Sequence, residues 1–354
     1  MVENQDRDLT VCLLTRKNPI RTALSIIDER RTGSVLVIDE DGRLEGCVTE
    51  QEIRRSLLAG ATLDIPVEQL MTKPMATVAP SVGRPEVLDL MQALHLREVP
   101  IVDSSGRVCG IHFEDEIIGT PQLESWAVIM AGGRGTRLAP LTDNIPKPML
   151  PIAGRPILER LVLHLVGSGV RKIFLSVNYL AEVIEKHFGD GSKFGCDIEY
   201  LREEIDRPLG TGGPLRLLED LGYEATAPLI VLNGDLVTAF SVQDLLDAHR
   251  ARGAVATISV SEYQHHVPFG VLEPRDGYLQ RIVEKPTHSW FVNGGIYVVE
   301  PQLIERVPPG RMFPITALFD DCLKRGELVG LWDIRDDWQD IGRPAELARA
   351  QGHT

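Results

Sequence analysis

Ala127-Val128-Ile129-Met130-Ala131-Gly132-Gly133-Arg134-Gly135-Thr136-Arg137-Leu138 is the stretch on which the reading of the larger part of this chain turns. Four apolar residues predict a short buried strand, and the chain then breaks directly into a glycine-rich turn. An open α/β sheet presents its ligand crevice at the carboxyl ends of its strands, so the placement of this turn matters more than its letters. Glycines there let backbone N–H groups approach phosphate oxygens, while Thr136 and Arg137 add a hydroxyl and a forked cation. A glycine-rich turn by itself could equally just reverse the chain. Here Pro140-Leu141-Thr142 and Pro146-Lys147-Pro148-Met149-Leu150-Pro151-Ile152 follow at short spacing, placing a second cation, Lys147, in a segment stiffened by prolines.

Downstream, apolar runs of four to six residues alternate with helical patterns, the texture of a wound α/β sheet. The spacing predicts helices over 155–167, 180–188 and 213–221, and strands over 172–177, 197–201 and 229–232. The last of these runs straight into Asn233-Gly234-Asp235. Upstream the texture differs, because the first third repeats itself at a spacing of 64 residues. Val35-Leu36-Val37-Ile38-Asp39 before Gly42-Arg43-Leu44-Glu45-Gly46 is echoed by Val99-Pro100-Ile101-Val102-Asp103 before Gly106-Arg107-Val108-Cys109-Gly110. Each copy reads as strand, turn, strand and a polar-led helix, preceded by an amphipathic helix over 20–30 or 85–95. A polar junction at Gly119-Thr120-Pro121-Gln122 closes the repeat, since Pro121 disfavours a continuing helix.

Composition narrows the class of partner. At 354 residues, 43% hydrophobic and 25% charged, the chain can bury two or three cores. A net charge of −14 repels a polyanion at long range, so nucleic acid is not expected and any phosphate must be held by a few local cations and amides. Cysteines 12, 47, 109, 196 and 322 lie far apart without C-x-x-C spacing, which argues for reduced, mostly buried thiols rather than a zinc site or disulfide framework. No apolar run reaches the roughly 18 residues of a membrane span, and the polar, acidic N-terminus points to a cytoplasmic protein.

The repeat resembles a pair of CBS modules, with Gly46-Cys47-Val48-Thr49-Glu50-Gln51-Glu52-Ile53-Arg54-Arg55 the nearest match to that family's strand-to-helix signature. The resemblance implies a pseudo-symmetric α/β disc whose cleft holds an adenine nucleotide in many relatives. The match is partial. Where the family often uses Thr or Ser followed three residues later by Asp, this chain has Thr49 with Glu52 and Phe113 with Glu116. A structural or oligomerising role and a ligand-sensing role both stay open.

Residues 132–151 resemble the signature of sugar-1-phosphate nucleotidylyltransferases, and the likeness continues to Asp340. It implies that Gly132, Gly133, Gly135 and Thr136 hold the nucleotide, with Leu209-Gly210-Thr211-Gly212-Gly213 as a nucleotide-side loop. Gly234 would sit beside the nucleotide and Asp235 and Asp340 would bind the metal. Phe269-Gly270-Val271, Val283-Glu284-Lys285-Pro286 and Asn293-Gly294-Gly295 match the segments that meet the sugar phosphate, here through Gly270, Glu284, Lys285 and Asn293. The implied catalytic residues are Arg137, Lys147 and Lys285. The chain is thus expected to be α/β: tandem CBS modules over 1–120 (about 8–62 and 66–120), then a Rossmann-like mixed-sheet nucleotidyltransferase domain over 125–354.

The chemistry accounts for these residue types. Attack of a sugar-1-phosphate oxygen on a nucleoside triphosphate joins two polyanions, so neutralisation and in-line positioning dominate and no covalent nucleophile is needed. Two carboxylates suit Mg²⁺, a hard ion that takes one or two protein carboxylates beside phosphate oxygens. Bland readings stand beside each residue: Asp235 as a cap of a helix over 241–250, Asp340 as a turn residue, and Lys285 with Glu284 as a solvated surface pair. His265-His266 is set aside as a metal pair, because adjacent strand residues face opposite ways.

A carboxylate at Glu203 or Glu204 could accept both N–H donors of guanine's Watson–Crick edge, whereas thymine or uracil suits an amide. GTP is therefore the favoured donor, with thymidylyl or uridylyl transfer to glucose-1-phosphate as the alternative. The union with CBS modules resembles glucosamine-1-phosphate guanylyltransferases of legionaminic acid biosynthesis, implying an NDP-sugar for a surface glycan. A CBS nucleotide sensor with an inactive transferase domain is the reading from another class. A homo-oligomer is expected, and the short stretch after Asp340 carries no hexapeptide repeat of a fused acetyltransferase.

Overall fold

In this computed structural model residues 12–30, 32–119, 122–238, 240–334 and 338–351 are described. The chain divides into two compact units, Met1–Pro121 and Gln122–Thr354. The start of the first repeat near residue 8, and Thr120 and Pro121 of the expected junction, lie outside the described residues.

In the first unit the two copies of the repeat fold alike. Strands Ser34–Ile38 and Leu44–Thr49 pair antiparallel, as do Glu98–Val102 and Val108–Phe113. The helix expected over 20–30 is Ile20–Arg30, and that expected over 85–95 is Arg84–Leu94, ended by His95 in a left-handed conformation. The hairpin turns face each other: Leu44 N–H donates to Gly106 O at 2.9 Å and Val108 N–H to Gly42 O at 3.1 Å. Thr49 and Glu52 build a capping box on helix Glu50–Leu58, each satisfying the other's backbone N–H. Phe113, the second copy's counterpart, makes no side-chain cap. The cleft of this unit is about 280 Å³, lined in part by Thr49, Glu52, Arg55, Lys73, Met75 and Glu98.

The second unit is built on a seven-stranded mixed sheet. Its order is Asp197–Arg202, Lys172–Val177, Ala127–Met130, Leu229–Asn233, Thr287–Val299, Ala256–His266, Val329–Asp333. The first four run parallel, and Thr287–Val299 is antiparallel to both neighbours. The central strands are mainly apolar because both faces are covered: Val128, Ile129, Phe174, Leu175, Ile230 and Val231 are fully buried. The helix expected over 180–188 is Ala181–Phe188, and two others start two or more residues later than expected. Arg155–Pro156 pairs with Pro151–Ile152 as a small hairpin, so the helix is Ile157–Gly167, and Gly213–Leu215 forms a 3₁₀ turn before helix Arg216–Asp220. Beyond the sheet, Ala256–His266 and Thr287–Val299 continue as an exposed two-stranded arm, joined by the hairpin of Val271–Arg275 and Tyr278–Val283.

The chain leaves Ala127–Met130 for the two parallel strands on one side and later returns as Leu229–Asn233 on the other. The direction of winding therefore reverses between these two strands. Such a switch point opens a crevice at the carboxyl ends of the strands.

Candidate functional site

Both strands at the switch point are followed directly by small residues, and backbone contact explains why. Gly234 N–H donates to Met130 O at 2.9 Å, and a Cβ on Gly234 would lie 2.7 Å from that same oxygen. Gly135 has φ of 60°, and a Cβ there would meet Lys147 Cβ at 2.9 Å and Thr142 Cγ2 at 3.0 Å. The glycine turn thus closes against the Lys147 segment, a contact held by the Thr142 hydroxyl donating to Gly135 O at 3.0 Å. Gly133 faces open space, and Thr136 and Arg137 lie exposed on the 3₁₀ turn Thr136–Leu138.

Two non-local devices bring the charged residues together. Strand Leu236–Thr238 pairs antiparallel with Trp338–Asp340, which sets Leu236 opposite Asp340 and so Asp235 beside it. Ile341 N–H donates to Asp235 O at 3.2 Å. Second, Leu138, Leu150, Ile152, Ile157, Ile341 and Leu347 form one apolar cluster that seats the neighbours of Arg137 and Asp340 together. An Arg137 guanidinium nitrogen lies 3.4 Å from where a Cβ of Gly342 would stand.

Lys147, 8% exposed, is the hub of the cluster. Its ammonium donates to Asp235 Oδ2 and stands 3.7 Å from Asp340 Oδ1. Burial, and then the charge of Asp235, push the Asp340 carboxyl above its ordinary range, against the pull of Lys147. Asp235 Oδ1, Asn233 Oδ1 and Gln339 Oε1 are buried without a hydrogen-bond partner among the described residues. Buried oxygens are nearly always paired, so each of these oxygens calls for a donor or a cation. No group of three or more His, Cys, Asp or Glu that could hold a metal occurs among the described residues. Two carboxylates with an orphaned oxygen fit a hard cation that completes its shell with phosphate and water. The helix Val242–Arg252 is capped by Ser241, whose hydroxyl accepts from Asp244 N–H at 3.1 Å, so Asp235 does not serve as that cap.

Glu203 packs on the other side of the turn. Its carboxylate lies 2.9 Å from the place a Gly132 Cβ would take, receives the Ser176 hydroxyl at 2.7 Å, and receives Leu209 N–H at 2.6 Å. Glu204, by contrast, is exposed and pairs with Arg207 at 3.6 Å. Gly210, with φ of 76°, belongs to a loop laced to a segment without a sequence signal: Gly212 and Gly213 N–H donate to Phe313 O, and Phe313 N–H donates to Leu209 O. Buried Asn178, donating to Glu204 O at 2.9 Å, and Ser176 were also unmarked in the sequence. Only their place at the end of a parallel strand could have flagged them.

Gly270, Glu284, Lys285 and Asn293 belong to the arm and its root. A Cβ on Gly270 would lie 2.8 Å from a Glu284 carboxylate oxygen. Asn293 Oδ1 accepts Gly295 N–H at 2.9 Å. Lys285 has φ of 44°, uncommon for a residue with a side chain, and is exposed. Among the described residues Lys147 pairs with Asp235 and stands near Asp340, Arg137 reaches Gly342 beside them, and no ion pair is seen between Lys285 and either aspartate.

Comparison with known proteins agrees with this architecture. The family model "Nucleotidyl transferase" matches residues 126–354, and "CBS domain" matches 12–59 and 67–111. Mannose-1-phosphate guanylyltransferase of Mycobacterium tuberculosis is 36% identical over 236 residues, covering 63% of this chain and 62% of that protein. Mannose-1-phosphate guanyltransferase beta-B of Xenopus laevis is 35% identical over 226 residues, covering 62% of each. The chain thus spans about 62% of the length of these curated relatives. Among solved structures, HddC from Yersinia pseudotuberculosis superposes with a TM-score of 0.51 at 29% identity, covering 64% of this chain and 98% of HddC. A second structure of HddC is complexed with GMP-PN, with the same scores. With 126–354 matched from the first strand of the seven-stranded sheet onward, this chain belongs to the nucleotidyl transferase family and carries a CBS-domain pair ahead of that domain.

Proposed function

We propose that the chain transfers GMP from GTP to a sugar-1-phosphate, releasing pyrophosphate and forming a GDP-sugar. The observation that carries this reading is the convergence of Lys147, Asp235 and Asp340, with Arg137 beside them, at the switch point of the sheet. In the reaction a sugar-phosphate oxygen, already ionised at neutral pH, forms a bond to the α-phosphorus. The bond from that phosphorus to the bridging oxygen breaks, and pyrophosphate leaves with the electron pair, so no proton has to move. Backbone amides of Gly132, Gly133 and Gly135 and the Thr136 hydroxyl hold the triphosphate, with Gly210 and Gly234 giving the nucleotide close approach. Arg137 draws charge from the leaving pyrophosphate, Lys147 bridges toward the phosphates, and Lys285 holds the sugar phosphate in line. Gly270, Glu284 and Asn293 meet the sugar.

Enzymes of this family generally use divalent metal ions. Asp235 and Asp340 are the residues that would hold Mg²⁺, which would neutralise charge on the triphosphate. GTP is favoured because Glu203 offers a carboxylate beside Gly132, and relatives are named guanylyltransferases. No helix among the described residues is long and apolar enough to cross a membrane, and we assign the work to the cytoplasm, supplying a surface glycan. The cleft of the CBS unit, with Lys73 and Arg55 at hand for phosphates, is assigned to an adenine nucleotide. A thermal-shift series with AMP and ADP tests that assignment, and no shift with either refutes it. Pyrophosphate release from GTP, ATP, UTP and dTTP, each with a panel of hexose-1-phosphates and Mg²⁺, tests the main reading. GTP should turn over fastest, and release with no acceptor would refute it.

A further inference from the structure

Ser176 is the last residue but one of the strand Lys172–Val177, where an apolar side chain would serve the core as well, yet it carries a hydroxyl and is only 1% exposed. That hydroxyl donates to Glu203 Oε1 at 2.7 Å, while the Ser176 carbonyl accepts Ala131 N–H at 2.9 Å. One residue therefore ties the glycine turn to the carboxylate beside it. The other oxygen of Glu203 receives Leu209 N–H at 2.6 Å, at the head of the loop laced to Phe313. A carboxylate has about four lone-pair directions, and these two donors occupy one on each oxygen, leaving one on each. Gly132 adds a steric wall: a Cβ there would stand 2.9 Å from Glu203 Oε1 and 3.1 Å from Asn178 Cβ, so the carboxylate rests directly against the turn. Flexible glutamates lose rotamer freedom on being fixed, and here two donors have already fixed this one.

We propose that Ser176 is a positioning residue for base selection, its hydroxyl holding the Glu203 carboxylate against Gly132 in the orientation that accepts the two N–H donors of a guanine edge. The inference rests on the reading of Glu203 as the base-reading group. Without the Ser176 donor, Glu203 swings on its Leu209 anchor alone, and the pairing with guanine's 2-amino group suffers most.

Calorimetric binding of GTP and of ITP, which lacks the 2-amino group, reads this directly, with kcat for the acceptor that turns over as a second readout. The wild type should prefer GTP. Ser176→Ala should lower the GTP-to-ITP affinity ratio by about tenfold, the loss of one hydrogen bond to a charged group. Ser176→Thr, which keeps a hydroxyl, should retain the ratio, and kcat at saturating GTP should stay within about twofold. Should Ser176→Ala not fold, Ser176→Cys is read in the same way, since a thiol donates weakly. Parallel weakening of GTP and ITP would overturn the proposal and leave Ser176 as core. Glu203→Gln separates the two claims: if it changes the ratio and Ser176→Ala does not, only the Ser176 inference falls. If neither changes it, the reading of Glu203 falls as well.

Discussion

Gly234→Ala is a one-carbon test of how closely the metal-side aspartate must follow the sheet. The added Cβ would sit 2.7 Å from Met130 O, about 0.7 Å inside the 3.4 Å at which ordinary contact begins, and 3.4 Å from Ala131 Cα. Both neighbours are backbone of the central strand and the glycine turn, so neither can swing aside as a side chain would. The hydrogen bond from Gly234 N–H to Met130 O must open as the strands part. Overpacking of this kind costs about 1–3 kcal/mol. For a unit of this size each kcal/mol lowers Tm by about 2–4 °C. The larger effect should fall on turnover. Asp235 directly follows, and if a 1 Å misplacement near the chemistry costs about 10²-fold, a displacement of this size should lower kcat at least tenfold. Differential scanning fluorimetry and pyrophosphate release measure the two effects separately. Turnover within twofold of wild type with an unchanged Tm would refute the claim that Gly234 is present for close approach.

Asp235→Asn should leave the fold intact and remove most turnover, together with the rise in Tm on adding millimolar Mg²⁺ to chelated protein; a retained Mg²⁺ shift would take Asp235 out of the metal site. The raised Asp340 carboxyl binds its proton more tightly in the folded than in the unfolded chain, where its pKa is about 3.9, so it opposes folding increasingly as pH rises through the native value. In chelator, urea unfolding should therefore show wild type losing stability relative to Asp340→Asn between about pH 4 and the raised native pKa. A pH-independent difference would contradict the raised pKa of that carboxyl. Thr49→Ala removes half of the capping box on Glu50–Leu58 and should destabilise the CBS unit by about 1 kcal/mol without altering turnover, measured by urea unfolding and pyrophosphate release. Residues 122–354 expressed alone should fold, because the Gln122–Thr354 unit holds its own apolar core; an insoluble product would refute its independence.

Several parts of this organisation were legible because they are local. The apolar run before Gly132, the proline-bound Lys147 and the paired hairpins of the repeat depend on spacing within a few residues, as does the cap of Glu50–Leu58. The helix expected over 155–167 started two residues late because Arg155–Pro156 finds a partner in Pro151–Ile152, a choice made by the hairpin rather than by helix propensity. Glu203 was legible as a carboxylate near the base, but not as one already holding two donors, since Ser176 reaches it across 27 residues of sequence and Leu209 arrives on a loop that Phe313 secures.

Sequence by itself determined the α/β texture, the repeat and the inventory of charged groups, because periodicity and turn chemistry act over one or two turns of chain. Tertiary structure alone decided which of those groups meet. Lys147 and Asp235 are 88 residues apart, and it is the switch point, the pairing of Leu236–Thr238 with Trp338–Asp340, and the Leu138–Ile341 apolar cluster that join them to Asp340. Lys285 lies exposed between the strands Tyr278–Val283 and Thr287–Val299. Strand register and side-chain packing are non-local, and a motif records its residues without recording that geometry.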